Sequence, residues 1–197
     1  MATTGERLGG IGAVLEDELE RARAAGIAGK TVVLVEGESD RRALIVLGGS
    51  RGLDLVSETT DVVAMTGATN LPRFVALLGP DGCRVPVLAL CDEAEAAYFR
   101  DALPSSAPLF VCVRDLEDEL IRAIGIDRVV AIFGEYGDSR RWHRLLRQPE
   151  HRESPRIHQV RRFIGNSFRK IEYAERIAAA IRPDEVPDPL RGLLDAL

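Results

Sequence analysis

An open α/β sheet carrying a helical tail is the fold class predicted, and three observations predict it. Short β-branched apolar runs alternate with helix-length segments in the order β-α-β-α-β-α-β. The runs are continuously apolar, as strands covered on both faces are. After Val113 no further strand pattern returns.

The first element is a helix over Ile11 to Ala25, with Ile11, Val14, Leu15 and Leu19 at helical spacing and Gly26 placed to end it. Strands follow at Thr31 to Val35, Val62 to Met65, Val85 to Leu90 and Leu109 to Val113. Helices lie between them at Asp40 to Leu47, Leu71 to Leu78 and Glu93 to Ala102. The tail reads as helices over Asp115 to Ile124, Asp127 to Phe133, Ser139 to Leu146, Arg156 to Ile164, Lys170 to Ile181 and Pro189 to Leu197. Gln148 to Pro155, polar with two prolines, reads as a loop. The expected division is an N-terminal helix (1–27), an α/β domain (28–125) and a basic helical extension (126–197).

Composition narrows the function classes. The 197 residues are 46% hydrophobic and 29% charged, the composition of an ordinary globular chain. No apolar run exceeds strand size and no basic start leads into one, so a cytoplasmic, non-membrane protein is expected. Cys83, Cys91 and Cys112 lack CxxC spacing and read as free thiols, two of them inside apolar runs. Net charge is −5, but unevenly spread. Residues 139–170 hold ten basic side chains against Glu150 and Glu153, a segment of +8 on an acidic body. Trp142 and all three histidines fall in it, a grouping that suits a phosphate-facing surface. A solvated arginine-rich helical face is the plainer reading.

Two nucleotide-binding patterns are excluded. Gly29-Lys30-Thr31 lacks the earlier glycine of a phosphate loop, since Ala24 stands there, and it precedes a strand instead of a helix. No GxGxxG follows a strand.

Carboxylates mark the strand ends. Glu36-Gly37-Glu38-Ser39-Asp40 follows the first strand, where the glycine permits a tight turn and Ser39 can cap the next helix. Asp92-Glu93-Ala94-Glu95 follows the third and Asp115-Leu116-Glu117-Asp118-Glu119 the fourth. One such group is ordinary dressing of a helix N-terminus. Three on one sheet edge repel each other unless a cation sits among them, and hard carboxylate oxygens suit Mg²⁺ or Mn²⁺. Glu38, Glu93, Asp118 and Glu119 read as solvent-facing or capping, and Asn70 as a loop element at the same edge.

Val33 to Leu44, with Glu36 and Asp40 four residues apart, resembles the first motif of TOPRIM domains. Together with Asp92 and the segment from Asp115 to Leu120, it is most similar to the TOPRIM half of OLD-family (overcoming lysogenization defect) nucleases. The resemblance covers about residues 31–124, with a weaker match through Arg169-Lys170. It implies a Rossmann-like, four-stranded, mainly parallel sheet and a metal-dependent nuclease that cleaves or nicks DNA, RNA being the other candidate substrate. It further implies Glu36, Asp40 and Asp92 as metal ligands, Asp115 and Glu117 at a second ion, and Lys170 assisting catalysis beside Glu36. The family's second motif is Asp-x-Asp, whereas Ala94 stands in the second position here and Glu95 follows as the compensating acid. Without a phosphate loop, any ATP-driven step falls to a separate ATPase partner. A homodimer is compatible with the pattern.

The basic segment then gains a purpose: Arg140, Arg141, Arg144, Arg161, Arg162, Arg169 and Lys170 are the candidate phosphate contacts. Two other readings remain. A non-catalytic TOPRIM module that binds nucleic acid or scaffolds a complex is favoured by Ala94. A phosphorylatable receiver domain fits an aspartate after the third strand but lacks the hydroxyl and lysine it needs after later strands. Tyr136 and Tyr173 read as packing residues rather than nucleophiles.

Overall fold

The computed structural model describes residues 4–197, with side chains from Gly12 onward, so the Ile11 side chain lies outside the described residues. Four strands, β1 (Thr31–Val35), β2 (Thr60–Ala64), β3 (Val87–Asp92) and β4 (Leu109–Cys112), form one fully parallel sheet in the order β2-β1-β3-β4. The register pairs Val33 with Val62 and Leu88, and Asp92 with Cys112. All four strands therefore open onto one edge. The chain leaves β1 for β2 on one side and returns to β3 on the other, so the order switches between β1 and β3, where an open α/β sheet has its crevice.

Side-chain alternation divides the core. Val32 and Leu34 face α1 (Thr4–Ile27), α3 (Leu71–Leu78) and α4 (Ala96–Ala102), packing with Ala22, Phe74 and Phe99. Val33 and Val35 face α2 (Glu38–Ser50) and the C-terminal helices. Those are α5 (Leu116–Ile124), α6 (Ile126–Glu135), α7 (Ser139–Leu146), α8 (Pro149–Arg152), α9 (Arg156–Gly165), α10 (Lys170–Ala179) and α11 (Asp188–Asp195). Phe133, Trp142, Phe163 and Tyr173 are buried together, with ring centroids 4.3 Å apart for Phe133 and Phe163 and 5.4 Å for Phe133 and Trp142. Residues beyond 125 thus share one core with the sheet.

Several sequence readings change. Trp142 is buried in this aromatic cluster, since its ring neighbours, Phe133 and Phe163, come from two other helices that local spacing does not reveal. The expected loop over Gln148 to Pro155 contains α8, with Pro149 at the first turn, where the missing N–H is no loss. Gly26 lies within α1, and a Cβ there would stand 2.7 Å from Cys83 Sγ, so it serves close packing. Gly29 ends the helix instead, at φ 71°, with Gly29 N–H donating to Gly26 O and Lys30 N–H to Ala25 O, a Schellman closure. The exposed edge of the sheet at β2 is covered by α1: Ala64 N–H donates to Glu18 (3.1 Å), and Arg21 pairs with Asp61 (3.2 Å).

Candidate active site at the strand ends

Each strand end contributes. Glu36 follows β1 and Asp92 is the last residue of β3, on the two sides of the switch point. Asp40, in the first turn of α2, accepts a hydrogen bond from Gly37 N–H (2.9 Å) and so closes the turn itself. Neither expected local role holds there. Ser39 makes no cap, and Gly37 is extended at φ −143°, open to any residue. Glu117 comes from the first turn of α5.

The loop after β2 is fixed against this edge. Gly67 N–H donates to Glu36 O (3.0 Å), and the Asn70 amide donates to Met65 O (3.0 Å) and to Thr66. Thr66 (φ 56°) and Arg114 (φ 72°) sit in the left-handed region at the ends of β2 and β4, both beside the site. Such strain persists only where surrounding contacts hold it.

Glu36, Asp40, Asp92, Asp115, Glu117 and Lys170 line one cavity of about 670 Å³. His158, Arg161, Arg162 and Asn166 from α9 and the following turn complete its wall. Glu95 and Ala94 lie outside it: Ala94 is exposed, while Glu95 is half-buried and near enough to Glu36 to disfavour its ionisation. Arg140, Arg144 and Arg169 are also outside the wall.

Charge in the cavity is poorly compensated. Burial, then the neighbouring acids Asp40, Glu36 and Asp115, push Asp92 up to about 7. Burial raises Asp40 to about 6 against the opposing pull of the Gly37 hydrogen bond and Lys170. Burial likewise raises Glu117 to about 7, and it raises Glu36, with Glu95 adding to the effect. Lys170, at the start of α10, favours the charged forms of Glu36, Asp40 and Glu117, and Arg161 adds to it at Glu117.

Asp115 is differently engaged. One oxygen caps α5 by accepting Asp118 N–H (2.8 Å), and the other accepts from the Arg161 guanidinium. Arg161 also reaches Asp118 (3.1 Å). Asp118 and Glu119, expected to face solvent or cap helices, are buried, and against that burial Arg122 and Arg161 hold Asp118 below the usual carboxylate range. Glu119 accepts Val113 N–H (2.7 Å) and pairs with Arg122 (3.0 Å). Their partners lie up to 43 residues away, beyond what spacing conveys. Arg141, one of the expected phosphate contacts, donates to Ser167 and Asn166 and lies over the Phe163 ring at 4.7 Å.

The donor set fits a hard divalent cation in chemistry: several carboxylates surround one cavity, and Glu36, Asp40, Asp92 and Glu117 among them are raised by burial and by neighbouring acids. Among the described residues no three acidic, histidine or cysteine side chains already close into a ligand cluster. No helix among them is long and apolar enough to cross a membrane.

Comparison with known proteins agrees with this picture. Residues 29–93 match the family model described as overcoming lysogenization defect protein-like, TOPRIM domain. The fold is similar to the C-terminal region of the Burkholderia pseudomallei OLD protein, at 18% identity and a TM-score of 0.63 over 85% of this chain and 96% of that one. It is similar too to the C-terminal region of the Xanthomonas campestris pv. campestris OLD protein, at 20% identity and a TM-score of 0.66 over 84% of this chain and 92% of the other. No curated protein matches the chain in sequence.

Proposed function

We propose that the TOPRIM domain of this chain, which resembles that of OLD proteins, is a metal-dependent phosphodiester hydrolase acting on DNA. The observation that carries this reading is the gathering of Glu36, Asp40, Asp92, Glu117 and Lys170 around one cavity. Glu36, Asp40, Asp92 and Glu117 would hold Mg²⁺ or Mn²⁺, with Asp115 available once Arg161 lets go. Such an ion supplies Lewis acidity toward phosphate oxygens and lowers the pKa of a water. Lys170, which lines the same cavity, contributes a positive charge suited to a non-bridging phosphate oxygen. Arg162 and His158 flank the opening and orient the backbone through its phosphates. Partial burial of the carboxylates lowers the local dielectric and strengthens each of these interactions.

A non-catalytic nucleic-acid-binding module is the second reading, favoured by exposed Ala94 and by the Arg161 pairing of Asp115. A plasmid-nicking assay with Mg²⁺, Mn²⁺ or chelator separates them. Metal-dependent nicking by wild type that Lys170→Ala lowers by about 10²-fold or more supports hydrolysis. DNA retardation without nicking in either metal supports the module.

A further inference from the structure

Phe168 is 85% exposed, the most exposed large apolar side chain among the described residues. It stands in the turn between α9 and α10, two residues after Asn166 and two before Lys170, both in the cavity wall. The turn is firmly held: Arg141 donates to Asn166 O (2.8 Å) and Ser167 Oγ (3.0 Å), and buried Ser167 Oγ accepts Arg169 N–H (3.1 Å). Arg169 lies 5.0 Å from the Phe168 ring centroid and 5.6 Å from that of Tyr136, and is itself fixed by Glu172 (2.8 Å). A guanidinium between two rings orients the outer one while leaving it open to solvent.

Apart from Arg169, no packing among the described residues covers this ring, and an exposed aromatic face beside Arg162 and Lys170, both exposed and lining the cavity, suits a flat, apolar-faced ligand attached to an anion. We infer that Phe168 stacks on an unpaired nucleobase of the strand whose phosphate enters the cavity beside Lys170. The inference rests on the nucleic-acid reading above and adds a preference for single-stranded or locally opened substrate, because a base within a duplex presents no free face.

Binding of a short labelled oligothymidylate and of a matched duplex, measured in chelator by fluorescence anisotropy, tests it. Phe168→Ala is expected to weaken single-strand binding by about five-fold or more, with a smaller effect on duplex and an unchanged salt slope, since no charge is removed. Phe168→Trp is expected to restore affinity, and its emission to be quenched at saturation, against the constant background of buried Trp142. Equal single-strand affinity of wild type and Phe168→Ala, or an unquenched Phe168→Trp at saturation, overturns the inference and leaves the nucleic-acid reading standing. Absence of binding by wild type to either probe overturns both. A dimer that Phe168→Ala converts to monomer, with nucleic-acid affinity unchanged, assigns the ring to a second copy of this chain and also overturns it.

Discussion

Arg161 on α9 occupies the Asp115 carboxylate at the start of α5 and reaches Asp118 one turn later, so a side chain from the helical tail sits where a strand-end acid faces the cavity. Tail and sheet are thereby joined by charge as well as by the aromatic core. The same contact competes with any cation for Asp115.

Replacing Arg161 by glutamine is expected to lower metal-free stability by about 1–3 kcal/mol, the usual loss for charged hydrogen bonds, and to enlarge the stabilisation that Mn²⁺ provides. Thermal melts with and without Mn²⁺ check both. An unchanged Mn²⁺ increment would show that Asp115 takes no part in holding the ion.

Stability should depend on pH in an unusual direction. Asp92 and Glu117 at about 7 and Asp40 at about 6 bind protons more tightly when folded than an ordinary carboxylate near 4 does unfolded. Their contribution is therefore fully present below pH about 4 and is lost as pH rises to about 7. Calorimetry in chelator should show this decline, flattened by Asp92→Asn and offset by Mn²⁺ at pH 7 far more than at pH 5. Metal-free stability rising through this window on account of these groups would contradict the assignment.

Tyr173 is a structural residue. Its ring is buried against Phe133, and its hydroxyl donates to Asp138. Tyr173→Phe should cost about 1–2 kcal/mol in urea denaturation and leave metal-dependent nicking unchanged. Loss of nicking in a fully folded variant would point to a nucleophilic role.

The tail's arginines should divide into two kinds. Arg162 is exposed at the cavity rim, so Arg162→Ala should weaken binding to all DNA sequences alike and lower the salt slope by about one. Arg141 pins the turn that presents Phe168, so Arg141→Ala should lower stability and disturb base stacking with little change in slope. Binding isotherms at several salt concentrations distinguish them.

What local chemistry dictates was legible. Thr31 to Val35 reads as a doubly covered strand from its β-branched run and is one, and Glu36, Asp40, Asp92 and Glu117 share a cavity because parallel strands must open on one edge. Long-range partners were not legible. The second strand begins at Thr60 because pairing with Thr31 extends it past buried Asp61, an unpromising strand residue whose charge is met by Arg21 of α1. Asp118 and Glu119 look like surface dressing until Arg161 and Arg122 fold onto them. Trp142 looks like part of a basic face because its aromatic neighbours are distant in the chain. Phe168 gives no signal: its exposure follows from the turn that Arg141 and Ser167 hold, partners that local spacing does not reveal.

The carboxylates at the switch point are proposed to carry metal-dependent hydrolysis. The most direct test is supercoiled-plasmid nicking in Mn²⁺ by wild type beside Glu36→Gln and Asp92→Asn, with circular dichroism confirming each fold. Wild type is expected to nick, both variants to lose nicking, and both to retain gel retardation. Undiminished nicking by both folded variants would contradict the proposal.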